Sequence, residues 1–451
     1  MSSDSVVLGV VLIARHGDRQ GFYQDPLTYT ASATAITPLG NQQEYQLGQY
    51  IRALYLNESS PSYIQGVTAD LFNQNQVEVR ADAGGEGGVI FDSAVSLLQG
   101  LWPATTEYNT TLANGSTITG PLGGYQYVPI AAVDPNLDVS LEGWTDCNTF
   151  NNATNAFYSS PGFQQVAAQS ASFLNELAQY VDGRAVTLEN MWNIFDYLNV
   201  NSIHNATFYN ALPPTFLAQA RALANYHEYG VFTSPQMTGI GNIAGQAMLP
   251  SILTGLENIA NSSNPLKFTY EAIAYKPFLS LFNMTGVAAT YPELATIVEY
   301  AAALAYEVRQ PINGGDLTVR MNFKNGTNAD FVTYGLLGTT GDVPLSEFIS
   351  TMSPAAINTT EEWCNVCANT VDRGCAAYYT TMPMTSATTH QKISPVGAGF
   401  LGAGLTLAVA LATIGVLAYF GFATFGPKAR KAKVGLARQA SEGDSVGEVK
   451  A

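Results

Sequence analysis

Residues 5–14 read SVVLGVVLIA, ten residues without a charge, five of them Val or Ile. β-Branched side chains favour extended backbone, and a run with no polar alternation has no face to give to water. Such a strand is covered on both sides, as in a largely parallel sheet with helices above and below. The next segments keep that pattern. In TPLGNQQEYQLGQYIRALYL, Thr37 can cap, Pro38 sits at the first helical position, and Leu47, Tyr50, Ile51 and Leu54 share a helical face. NQVEVRAD reads as a second strand, a Gly-rich AGGEGG loop follows, and an apolar helix runs through Leu97, Leu98 and Leu101. Strand, loop and helix repeated twice predict an α/β sandwich.

Further along, residues 104–160 read as loops with short strands, and 161–235 turn helical. IAGQAMLPSILTGLENIA predicts another helix, PLKFTYEAIAY a returning strand and KPFLSLFNMTG the helix after it, with late strands in YAAALAYEVRQ and LTVRMNFKNG. The layout expected is an α/β core over 1–104 and 241–350 and a mainly helical cap over 105–240. A Cys-containing segment and stalk would cover 351–395. Residues 396–425 form thirty positions without a charge, long enough to span a bilayer. The basic flank GPKARKAK opens a tail, 426–451, expected in the cytosol. The large domain is then expected on the lumenal or extracellular side.

Nine Asn-x-Ser/Thr sequons and four cysteines fit that side. Cys147, Cys364, Cys367 and Cys375 lack a fourth ligand close to WCNVCANTVDRGC, so two disulfides are expected rather than a metal site, and three connectivities stay open. Against it, MSSDSVVLGVVLIARHG has no basic start and its apolar stretch runs straight into the candidate site, which does not read as a signal peptide and leaves insertion as a tail-anchored protein as the alternative. The net charge of −16 argues against nucleic acid as a partner. Oligomeric state is not legible.

The first strand ends in ARHGDR. Arg15, His16 and Arg19 lie where a sheet edge presents them, and Arg80 lies within the second strand. A phosphomonoester dianion needs forked donors on its oxygens, and a neutral imidazole can attack its phosphorus in line. LIARHGDR resembles the signature of the histidine acid phosphatases, branch 2 of the histidine phosphatase superfamily, which share the phosphoglycerate mutase-like fold. ITPLGNQQEYQLGQYIRALY, VEVRAD with DSAVSLLQGLWP, NIAGQAMLPSIL, YAAALAYEVRQ and VRMNFKNG are similar to that branch's later elements in the same order. The resemblance implies that His16 is the nucleophile, that Arg15, Arg19 and Arg80 hold phosphate, that the partner is a phosphorylated small molecule, and that no cofactor or metal is involved.

The chain then departs from the pattern. The branch places a second histidine and a proton-donating aspartate where a late strand meets a helix, near Ala274 and Tyr275 here, and neither is present. Phe22 stands where a proline is usual. Glu271 is the leading candidate acid, ahead of Asp18 and Glu86, with a strand carboxylate facing solvent or paired with Lys276 as its plain structural role. Lys276 is a candidate replacement for the missing histidine's charge. Of the other histidines, His204 is expected to be exposed and His227 to pack or face solvent. The expected activity is phosphomonoester hydrolysis through a phosphohistidine. The alternative is a membrane-anchored pseudophosphatase that binds phosphate without turnover.

Overall fold

A computed structural model describes residues 5–21, 34–84 and 88–379. The expected stalk after 379, the span at 396–425, the basic tail, Phe22 and Glu86 lie outside the described residues. Among those described, no helix is long and apolar enough to cross a membrane.

The centre is an eight-stranded mixed sheet. Its strands are β1 (Ser5–Arg15), β2 (Val77–Asp82), β3 (Ala131–Val133), β4 (Phe268–Ile273), β5 (Ala303–Pro311), β6 (Thr318–Lys324), β7 (Val332–Tyr334) and β8 (Val343–Pro344), in the order β8-β6-β5-β1-β4-β2-β3 with β7 on β6. β1, β4, β2 and β3 run parallel. β5 to β8 form the antiparallel half. β1 lies between the two halves, which is why its sequence is apolar on both faces: Val10, Leu12 and Ala14 pack into one core cluster, Val11 and Ile13 into the other.

Helices cover both faces. α1 (Pro38–Ile51) and α2 (Val89–Leu101) lie on one side, and Gly48 and Gly100 let their backbones touch: a Cβ on Gly48 would stand 2.0 Å from the Leu97 carbonyl oxygen. Thr37 caps α1 by accepting the Gly40 N–H, and Pro38 follows, as expected. Past Ile51 the helix widens into a π-turn over Arg52–Leu56. That turns the buried face by about one residue, so Tyr55 and Leu56 are buried and Leu54 only half so.

The other side holds α3 (Asn148–Tyr158), α4 (Pro161–Leu177), α5 (Met191–His204), α6 (Phe216–Val231), α7 (Ile243–Ala260) and α8 (Lys276–Met284), all contributing to one continuous core with the sheet. Pro250 inside α7 removes the donor for the Gln246 carbonyl, and the Ile357 N–H takes its place at 3.1 Å. The disulfides pair Cys147 with Cys367 and Cys364 with Cys375, which settles the three open connectivities. Eight sequon asparagines are exposed; Asn283 is half-buried, its amide donating to the Ser234 carbonyl and the Asn242 side chain.

Candidate active site

The signature loop leaves β1 at the carboxyl ends of the parallel strands, the usual place for a ligand crevice in such sheets. The His16 N–H donates to the Ile273 carbonyl of β4, and its carbonyl accepts from Ala301 beside β5, so both neighbouring strands fix it. Gly17 seats against α1, where a Cβ would come within 2.5 Å of the Gly40 carbonyl oxygen, and its N–H donates to Ser93 Oγ of α2 at 3.1 Å. The His16 ring is buried, with Nδ1 2.8 Å from the Gly17 carbonyl oxygen. A carbonyl only accepts, so Nδ1 carries the proton, and in the neutral ring Nε2 holds the lone pair.

Around His16 stand Arg15, Arg19 and Tyr300. The Arg15 guanidinium lies over the Tyr300 ring at 4.4 Å and the Tyr275 ring at 5.1 Å, and its Nη1 donates to the Val298 carbonyl. Burial draws Arg15 down from its ordinary value, with Tyr300 pulling the other way. Arg19 is gripped by a forked pair to Asp196 of α5, at 2.9 and 3.2 Å. The Tyr300 ring stands 5.6 Å from His16, and its buried hydroxyl has no partner among the described residues. Burial pushes that hydroxyl up to about 12, against the pull of Arg19. A small cavity of about 20 Å³ is lined by Arg15, Arg19, Trp192, Asp196 and Tyr275.

His204 ends α5 and is exposed, as expected, yet it places Nε2 2.7 Å from the buried Asp18 carboxylate, which also accepts from Thr37. Asp18 is thus committed to binding the loop to the cap, and α5 holds the signature loop twice, through Asp196 and His204. His227 packs, as expected: Tyr158, His227, Glu228 and Tyr275 form a buried chain of hydrogen bonds behind Arg15. β4 ends at Ile273 and α8 begins at Lys276, so Ala274 and Tyr275 occupy the strand–helix junction.

Arg80 and Glu271 form a separate group. Register aligns both with Ile13, three residues before His16, or about 10 Å along the strand. Arg80 donates to Asp138 at 2.8 Å, to Ser140 at 2.7 Å and to Glu271 at 3.4 Å. Glu271 therefore pairs with Arg80 and not with Lys276. Burial pushes its carboxyl up to about 7, against the opposing pull of Arg80. The two line a cavity of about 240 Å³ with Ser251 and Thr254. Lys276 is buried with its ammonium over the rings of Trp144, Tyr275 and Trp192, at 5.2 to 5.7 Å, where aromatic faces compensate its charge.

Residues 20–302 match the histidine phosphatase superfamily, branch 2, the match opening one residue past Arg19. The chain belongs to this family. It is similar to lysosomal acid phosphatase of Rattus norvegicus, 24% identical over 386 residues that cover 80% of this chain and 81% of that one. Prostatic acid phosphatase of Bos taurus is 23% identical over 367 residues, covering 80% and 87%. Among solved structures, the phytase of Citrobacter braakii superposes with a TM-score of 0.56 at 13% identity, covering 80% of this chain and 99% of that one. The apo phytase of Hafnia alvei gives 0.54 at 15% identity, covering 81% and 99%. These likenesses show the shared fold.

Proposed function

We propose that the family domain is a phosphomonoesterase in which His16 Nε2 attacks the phosphorus of a phosphorylated small molecule while Arg15 and Arg19 neutralise its oxygens. The observation that carries this reading is the Nδ1–H bond to Gly17, which puts the lone pair on Nε2 of a histidine flanked in the loop by Arg15 and Arg19. In the first step the P–N bond forms and the ester P–O bond breaks. Water then attacks the phosphohistidine and restores the imidazole. The reading rests on His16, Arg15 and Arg19; Arg80 and Glu271 act as their own pair, with Glu271 able to hold a proton near neutrality. Two disulfides and eight exposed sequons support placing this domain on the lumenal or outer face of a membrane.

One observation favours the alternative, a phosphate-binding pseudophosphatase. Asp196 already occupies the fork of Arg19, and the cavity there is about 20 Å³. Turnover of p-nitrophenyl phosphate by the detergent-solubilised full chain and by His16→Ala decides between the two. Activity that disappears in the variant establishes the nucleophile. No activity in either, with inorganic phosphate still raising the melting temperature of the wild type, establishes a binding protein.

A further inference from the structure

A larger cavity, about 440 Å³, lies between the first half of α1, the end of α5 and the loops carrying Glu299 and Asn328. Its polar lining is built of carboxamides: Gln42, Gln46, Asn199 and Asn328 reach it, and none of these four is committed to a partner among the described residues. Its charged group is Glu299, already paired with Arg221. Tyr300 belongs both to this wall and to the surroundings of His16, and its buried hydroxyl has no partner among the described residues. A buried hydroxyl left unpaired is uncommon enough in a folded protein to require an explanation. A ligand oxygen in the cavity supplies one.

We propose that this cavity is the leaving-group subsite of the His16 centre, that it takes an uncharged polyhydroxylated alcohol such as a sugar or polyol, and that Tyr300 donates a hydrogen bond to the departing ester oxygen. The inference rests on the phosphomonoesterase reading above. Carboxamides both donate and accept, which matches hydroxyl groups. A leaving group carrying further phosphates would meet, among the described lining residues, no cation and one carboxylate. Tyr300 is a donor throughout the acid and neutral range, because burial keeps its proton in place. When the P–O bond breaks, its electron pair stays on the ester oxygen, which Tyr300 holds by hydrogen bond until a cavity water gives it a proton. The phosphoryl group goes to His16 Nε2.

The test compares kcat/KM of the full chain for glucose 6-phosphate, p-nitrophenyl phosphate and inositol hexakisphosphate, with Tyr300→Phe, Gln46→Leu and His16→Ala alongside. Tyr300→Phe should cost the sugar phosphate about 10- to 100-fold, the range of a hydrogen bond to a charged group. It should cost the aryl phosphate, which leaves as a stable anion, less than about threefold. Gln46→Leu, an exposed helix position, should raise KM for the sugar phosphate alone. Equal losses on both monophosphates, or hydrolysis of inositol hexakisphosphate as fast as the sugar phosphate, overturn the inference and leave the His16 reading standing. Aryl phosphate turnover unchanged in His16→Ala overturns both.

Discussion

Glu271→Gln isolates a carboxyl whose ionisation the fold resists. Glu271 is 3% exposed, and burial outweighs Arg80 and Ser251 in moving it from 4.5 to about 7. Between those values the folded protein binds a proton that the unfolded chain has released. Stability on this account is therefore greatest below pH 4.5, falls as pH rises, and reaches its lower plateau above 7. At 1.36 kcal/mol per pH unit the total is about 3 kcal/mol. Glutamine keeps the shape of the protonated acid and cannot ionise. Urea unfolding of wild type and variant at intervals from pH 4 to 8 should show near-equal stability at the acid end and a variant advantage of about 3 kcal/mol at the alkaline end. Glu44, which burial also raises, titrates alike in both proteins and cancels. An advantage that does not change with pH refutes the reasoning, because it would mean that Glu271 does not titrate in this window.

Asp196→Asn removes the carboxylate from Arg19 while keeping its shape. Inorganic phosphate should then bind about tenfold tighter by calorimetry, a difference of about 1.4 kcal/mol; weaker binding would show that Asp196 orients Arg19 rather than competing for it. Gly40→Ala would set a Cβ 2.0 Å from the Asp18 carbonyl oxygen, backbone against backbone. It should cost about 1–3 kcal/mol by urea unfolding and lower p-nitrophenyl phosphate turnover by displacing the loop that carries His16.

What the sequence made legible was local. β1 shows itself because both its faces are apolar, α1 because Thr37 and Pro38 mark its start, and the strand–helix junction at 274–275 because periodicity changes there. His16 was legible from its flanking arginines. The rest depends on contacts between distant segments, which no window of sequence reports. Asp196 and His204 are eight residues apart, two helical turns, so both fall on one side of α5; that spacing was readable, but nothing in it names the signature loop as the target. Tyr300 reads as the start of a strand that begins at Ala303, and only the fold brings its ring to His16. Arg80 was found through the likeness of VEVRAD to the family's second arginine strand, while its level in the sheet follows from a register fixed by β4. Glu271 and Lys276 lie five residues apart, yet the turn into α8 carries one to Arg80 and the other among indole rings.

The polar groups around His16 divide into two sets with opposite consequences. Arg19 and Asp18 have protein partners on α5, so a phosphate must first displace Asp196. Tyr300 Oη, Arg15 Nε and Asp18 Oδ1 are buried without one among the described residues. Each unpaired group costs the folded protein about 1–3 kcal/mol. An anion that accepts from Tyr300 and Arg15 recovers part of that cost, which offsets the loss of the Asp196 pair. Affinity for phosphate is then a difference between two terms of similar size, and it responds to whatever moves α5. The second contact of α5 with the loop, His204 on Asp18, sets how freely the helix can release Asp196. Weakening it with His204→Gln should therefore act in the same direction as Asp196→Asn, with a smaller gain, although His204 never meets the phosphate.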